Sequence, residues 1–370
     1  IDLGQSHKDY LEKLLVSYGQ SGFLFAQFQV DATRAISSRF ETSQNSGSTK
    51  QNDHGIIVTA GTGSGKTLSF YLPVLARIAS RISDESEPEK YWLQCLAIYP
   101  RVELQRDQFR STLQEARRLS NFLAQNNKRP IRLGLLYGGT PTLYNGSSTE
   151  DAQLDLQEKW KKGSRGYVCP HFTCWENGCD KPFIWPFESI RQNKEELICS
   201  DANCGNKITS DEIALTRDSI KNRPPDILFT SSEMLNRNLS NNDYRTAFGI
   251  RKYPYSPEFL LIDEVHLYSG AYGAQFAYLI RRWRSQLPKL TSISFVGLSA
   301  TLVDADKFFE RLTGLSDGRC LVVSPHQTEL EVEGVEYLIA LKGDPLSKTA
   351  LLSTTIQANM LLSRMLDRTN

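Results

Sequence analysis

No sign of charge dominates this chain. Its 43 Lys and Arg stand against 42 Asp and Glu in 370 residues, a formal net charge of +1. A global basic field is therefore excluded as the means of holding nucleic acid, and any such contact must come from a local groove. Long apolar runs are also missing. No stretch approaches the roughly 18 uninterrupted apolar residues of a membrane span, and residues 1–15 hold no signal-peptide core. A non-secreted protein of the cytoplasm, nucleoid or nucleus, without a membrane partner, is expected. Cysteine is nearly absent outside one segment. Of seven, only Cys95 and Cys320 lie outside residues 169–204, which excludes a disulfide framework spread through the chain.

What is present is ordinary in amount and informative in order. Apolar content is 40% and charged content 23%, as in soluble globular proteins, and 370 residues imply two or three domains. Short helices are predicted over 9–16 and 28–37, with a polar loop at 39–52. Strands are predicted over 55–59, 92–99, 131–137, 225–230, 259–262 and 292–296, and helices over 67–82 and 106–122. This alternation predicts an α/β fold with a parallel sheet and helices on both faces. The pattern breaks between Trp160 and Ser210, which is read as an insertion. Past Leu321 a strand-rich stretch leads to a helix at 354–366.

Residues 60–67 read Ala-Gly-Thr-Gly-Ser-Gly-Lys-Thr and match G-x-x-x-x-G-K-S/T directly between a strand and a helix. Gly61, Thr62, Gly63, Ser64 and Gly65 let backbone N–H groups wrap phosphates at a helix N-terminus. Lys66 is expected to reach the β- and γ-phosphates and Thr67 to ligate Mg²⁺. Asp263 and Glu264 follow Leu260-Leu261-Ile262, at the C-terminal end of a buried strand, where open α/β sheets bind ligands. Asp263 would hold Mg²⁺, and Glu264 would position or deprotonate water.

Asp263-Glu264-Val265-His266 resembles the DExH box of superfamily two helicases. Ser299-Ala300-Thr301 resembles their motif III, Tyr99 to Gln108 their motif Ia, Gly138-Gly139-Thr140 their GG motif, and Thr230 to Leu235 the segment written T-x-P-E-x-L. Phe28-Gln29 has the position of the Q motif. The resemblance implies a RecA-like P-loop lobe that hydrolyses Mg-ATP, with Gln29 reading adenine and Lys66, Asp263, Glu264 and His266 in the catalytic set. It implies that Ser299 and Thr301 couple nucleotide state to nucleic-acid grip. It also implies that Arg101, Gln105, Gly139, Thr140, Thr230 and Ser231 hold a single strand. Residues 263–273 are similar to D-E-x-H-x-Y-x-G-x-x-G of a DNA-repair branch and of some phage-defence helicases, which favours DNA over RNA. Neither a transporter signature nor a guanine-reading N-K-x-D motif is visible. Arg281-Arg282-Trp283-Arg284 could attract or stack on a strand, but its spacing favours a solvated helix end.

Cys174-x4-Cys179 and Cys199-x4-Cys204 form two equal pairs about twenty residues apart, a zinc-ribbon arrangement for one structural Zn²⁺. Cys169 could replace Cys174, and His171 is a further competitor. The module could also touch DNA or a partner protein. The expected organisation is N-terminal helices with the Q-motif region at 1–54 and the first RecA-like lobe at 55–320. The cysteine-rich insertion occupies 160–210 within that lobe, and a connector with the start of a second lobe occupies 321–370. Residue 1 is not Met and no second-lobe motif precedes Asn370, so the resemblance implies a second lobe supplied by further chain. It also implies slow ATP turnover by these residues alone. The alternatives are an ATP-switched clamp that recruits partners without unwinding, and an RNA helicase.

Overall fold

The computed structural model describes residues 3–20, 22–42, 53–61, 63–86, 90–142, 160–251, 254–300, 302–326 and 351–366. Two helices, α1 (Leu3–Gln20) and α2 (Gln27–Thr42), precede β1 (His54–Thr59), α3 (Lys66–Asp84), β2 (Cys95–Ile98), α4 (Val102–Gln125) and β3 (Leu133–Leu136). The cysteine-rich segment carries β4 (Lys161–Lys162), β5 (Gly166–Thr173), β6 (Pro182–Pro186), α5 (Phe187–Arg191), β7 (Leu197–Cys199) and β8 (Lys207–Ile208). There follow β9 (Ile213–Ala214), α6 (Arg217–Asn222), β10 (Ile227–Thr230), α7 (Ser232–Asn238), β11 (Phe259–Ile262) and α8 (Gly270–Gln286). The series ends with β12 (Ser294–Ser299), α9 (Ala305–Thr313) and β13 (Cys320–Val323).

Eight strands form one sheet in the order β13-β1-β12-β11-β2-β10-β3-β9, and every pairing in it is parallel. Strands such as Phe-Leu-Leu-Ile of β11 are buried at every position, because a parallel sheet covered on both faces has no solvent side. Successive side chains alternate between the faces. Ile56 and Val58 join one core with α1 to α4, while Ile57 joins the other with α7 to α9. The predicted α/β sheet is thus present, with strand ends shifted by a few residues: β12 runs to Ser299 rather than stopping at Val296.

The insertion is a second sheet, β4-β5-β6-β7-β8, antiparallel throughout. Its sequence shows no clean period because aromatic side chains fill it from several directions. Trp160 and Trp185, Phe172 and Trp175, and Phe172 and Phe183 pair at 5.6–5.9 Å. A zinc-ribbon module can fold on its metal with little apolar core. Here, instead, the core is continuous with that of the main sheet, where Phe172 stacks on Phe109 of α4 at 5.9 Å.

The polar loop predicted at 39–52 lies outside the described residues from 43 onward, with α2 reaching Thr42. The predicted strand-rich stretch is described only as β13; residues 327–350 lie outside. Residues 330–370 form a separate compact unit, in which α10 (Leu351–Leu366) is described. Among the described residues no helix is long and apolar enough to cross a membrane.

Candidate nucleotide and nucleic-acid site

Sheet order assembles the site. β1, β12 and β11 are neighbours, so the residues that follow their C-terminal ends meet: the glycine loop, Ser299 and the Asp263-Glu264-Val265-His266 segment. β2, β10 and β3 are the next neighbours, and the residues after them are those expected to touch a strand.

The glycine loop turns because Gly63 and Gly65 take φ of 80° and 76°, a region side chains disfavour. A Cβ on Gly65 would also stand 2.5 Å from Gln29 Nε2. Gln29, 4% exposed, donates to the carbonyls of Ser64 and Gly65 at 3.3 and 3.1 Å, and its Oε1 accepts from the Ala26 N–H. It therefore braces the loop from α2. Lys66 Nζ donates to the Ala60 and Gly61 carbonyls at 2.8 and 3.1 Å, and Ser64 Oγ donates to Gly61 O. Thr67 is half-buried at the start of α3, and Thr62 lies outside the described residues.

Asp263 is 6% exposed. Burial, then the charge of Glu264, push its carboxyl up to about 6, while Lys66 opposes them. A buried carboxylate beside a second one is a donor set that fits a divalent cation. Glu264 itself sits at φ 49°, ψ 51°, a left-handed conformation costly for a residue with a side chain and frequent at functional sites. His266 Nδ1 lies 3.3 Å from Glu264 Oε2 and 3.3 Å from Ser299 Oγ. Ser299 is fully buried, and its carbonyl accepts from Ala60 N–H at 3.2 Å. The structure thus brings Lys66, Asp263, Glu264, His266 and Ser299 together; Thr301 lies outside the described residues.

The expected strand contacts separate into two groups. Arg101 is exposed at the N-cap of α4, while Gly139 and Ser231 are partly exposed. Ser231 caps α7 by accepting from Met234 N–H. Thr140, Thr230 and Gln105 are buried. The Thr140 hydroxyl accepts from Tyr137 N–H and donates to Leu135 O, and that of Thr230 donates to Leu136 O. The hydrogen bonds of both threonines are spent shaping loops, whereas the Gln105 amide meets no hydrogen-bond partner among the described residues. Trp283 of the basic run is fully buried and donates to Phe248 O, and Arg284 pairs with Asp53 at 2.7 Å. Stacking of Trp283 on a strand is therefore ruled out.

The sulfurs of Cys174, Cys179, Cys199 and Cys204 all lie within 4.8 Å of one another. Cys174 and Cys204 stand 3.6 Å apart, as do Cys179 and Cys199. Four thiolates about 2.3 Å from one zinc ion stand roughly 3.8 Å apart, so the donor set fits tetrahedral zinc. Cys169 and His171 are not in the cluster, and burial pushes the Cys169 thiol up to about 11. The choice left open by spacing falls to Cys174.

Two arginines carry weight that the sequence does not announce. Arg117 of α4 bonds Glu212, Asn206 Oδ1 and Lys207 O, and Asn206 Nδ2 in turn donates to Cys174 Sγ at 3.3 Å. Arg217 bonds the carbonyls of residues 137, 138 and 140. Neither lies in a motif or period, so no sequence signal marks them.

The family model for DEAD/DEAH box helicases matches residues 44–154 and 187–308. The skipped stretch contains Cys174 and Cys179. Among curated proteins, Druantia protein DruE of Escherichia coli is 27% identical over 308 residues, which cover 70% of this chain and 16% of that protein. An uncharacterized ATP-dependent helicase of Methanocaldococcus jannaschii is 26% identical over 140 residues, 35% of this chain and 20% of that one. The chain thus spans a fifth or less of the length of these relatives. Among solved structures, the DUF1998 helicase MrfA matches with a TM-score of 0.45 at 17% identity, over 85% of this chain and 32% of that one. The DEAD-box helicase Mss116 bound to ssRNA matches with a TM-score of 0.46 at 13% identity, over 85% and 43%.

Proposed function

The chain belongs to the DEAD/DEAH box helicase family, and we propose that it is the ATP-binding lobe of a motor that hydrolyses Mg-ATP to move along one strand of DNA. The observation that supports this most is the convergence of Lys66, Asp263, Glu264, His266 and Ser299 at three adjacent strand ends. In this reading the loop N–H groups and Lys66 bind the phosphates, which draws Lys66 Nζ off the Ala60 and Gly61 carbonyls. Thr67 and Asp263 would hold Mg²⁺, whose chemistry is to neutralise charge on the phosphoryl oxygens. Glu264 orients the attacking water and accepts its proton. Gln29 holds the loop and reads adenine. His266, Ser299 and Thr301 carry the state of the nucleotide to the strand.

Arg101, Gly139 and Ser231 take the strand directly, while Thr140 and Thr230 shape the loops that present it. The preference for DNA rests on the resemblance of residues 263–273 to the repair and phage-defence branch. Arginine fingers from a second lobe complete hydrolysis. Cys174, Cys179, Cys199 and Cys204 hold one structural zinc ion. We place the N-terminal helices with the Q-motif region at 1–54, the lobe at 55–320 with the cysteine module at 160–210, and a connector with the start of a second lobe at 321–370.

The test is ATP hydrolysis by the complete protein with single-stranded DNA, duplex DNA or RNA, beside Glu264→Gln. Stimulation by DNA that vanishes in the variant is expected. Stimulation by RNA alone would move the protein to the RNA branch. A folded protein that binds ATP but responds to no nucleic acid would favour the clamp.

A further inference from the structure

Two N–H groups of the loop after β3 are left without a protein acceptor among the described residues: those of Gly138 and Gly139. Gly138 is exposed, with nothing within 4 Å of where a Cβ would be. The carbonyls of the same loop have a different fate. Arg217 Nε donates to Thr140 O at 2.8 Å, and its Nη2 donates to Gly138 O at 2.9 Å and Tyr137 O at 3.3 Å. The backbone N–H of Arg217 adds a bond to Pro141 O at 2.8 Å.

In a trans peptide the C=O of one residue and the N–H of the next share a plane and point in opposite directions. Arg217 draws the Gly138 carbonyl to one side and, together with the Thr140 N–H at 3.1 Å, the Tyr137 carbonyl with it, and so turns the N–H groups of Gly138 and Gly139 to the other. The guanidinium also sits at the negative end of both peptide dipoles, which leaves their positive ends for an anion. We propose that Arg217 is a positioning residue that aims these two N–H groups at a phosphate of the bound strand. This proposal rests on the strand-binding reading above.

The clamp is set by the cysteine module. Glu195, buried between α5 and β7, accepts from Leu215 N–H at 3.1 Å, from Thr216 N–H at 2.9 Å and from the Thr216 hydroxyl. Thr216 caps α6, and Arg217 is the first residue of that helix. The module thereby fixes where the guanidinium stands. Lysine cannot substitute, because one ammonium on a flexible stem does not hold separate carbonyls in a planar fork.

The experiment measures binding of a fluorescein-labelled single-stranded DNA oligonucleotide to the complete protein and to Arg217→Ala and Arg217→Lys. Nucleotide affinity and the salt dependence of strand binding are measured alongside. Both variants should weaken strand binding about tenfold. Nucleotide affinity and the salt slope should stay unchanged, since the N–H groups that no longer meet the phosphate carry no formal charge. Three results would overturn the proposal: a Lys variant that binds like the wild type, a salt slope about one unit shallower in the Ala variant, or a strand affinity that does not change. Loss of nucleotide binding in both variants would make Arg217 a general support of the fold, and the proposal would fall. Wild-type protein that binds no strand would sink the strand-binding reading itself, a result distinct from each of these.

Discussion

His266 Nδ1 stands 3.3 Å from Ser299 Oγ. The contact joins the end of β11 to the end of β12, and Ser299 O is already bonded to Ala60 N–H at the mouth of the glycine loop. A shift of the loop is therefore felt at His266 through two hydrogen bonds. Ser299→Ala removes the side-chain link while keeping the backbone one. Basal hydrolysis should survive, and stimulation by DNA should fall by about 5- to 100-fold, the usual range of coupling between sites. Equal loss of basal and stimulated rates in a hydrolysis titration would argue against a coupling role.

Glu264 holds its left-handed backbone conformation immediately after Asp263. Glu264→Gln keeps the shape and removes the base. Hydrolysis should drop by about 10²- to 10⁴-fold, with nucleotide affinity retained. Equilibrium binding of a fluorescent ATP analogue separates the two effects, and lost affinity would assign Glu264 to binding instead.

The four-sulfur cluster predicts one zinc per chain by elemental analysis. Cys174→Ser or Cys199→Ser should release it and lower the melting temperature by about 5–10 °C, since the module shares its core with α4. Cys169→Ser should keep the metal, because that thiol lies outside the cluster. Full metal content in Cys174→Ser would falsify the assignment.

Glu258 precedes β11 and meets Arg77 of α3 through two bonds, at 2.8 and 3.1 Å. Burial alone would raise its carboxyl, but Arg81 and Arg77 overcome that and hold it down to about 2. A depressed carboxylate contributes stability above its unfolded value, about 4.3, and loses it as pH falls through the folded one. Glu258→Gln should therefore be less stable than wild type at pH 7, with the gap closing between roughly pH 4.5 and 2. A gap that stays constant on acidification in denaturant titrations would show that the ion pair is not its source.

The strands and the phosphate loop were readable because each depends on neighbours in sequence. A parallel strand buried on both faces leaves an apolar run, as in Phe259–Ile262, and a phosphate loop leaves glycines at fixed offsets before Lys66. The pairing of Asp263 with Glu264 followed from the run before it. The insertion showed itself by a broken period and clustered cysteines, yet its five strands did not. Their packing is carried by Trp160, Phe172, Phe183 and Trp185, which obey no alternation.

Side-chain type and local spacing were enough to mark the residues suited to chemistry on a nucleotide. Which of them meet, and which are spent elsewhere, followed from the packing of distant segments. Strand order set Ser299 beside His266, and folding of the module chose Cys174 over Cys169. Burial turned Thr140, Thr230 and Trp283 inward, and a chain return after the insertion brought Arg217 onto the Gly138 carbonyl. The Cys174–Cys204, Ser299–His266 and Arg217–Gly138 contacts join residues 30, 33 and 79 positions apart in the chain, and no local pattern encodes the geometry of such pairs.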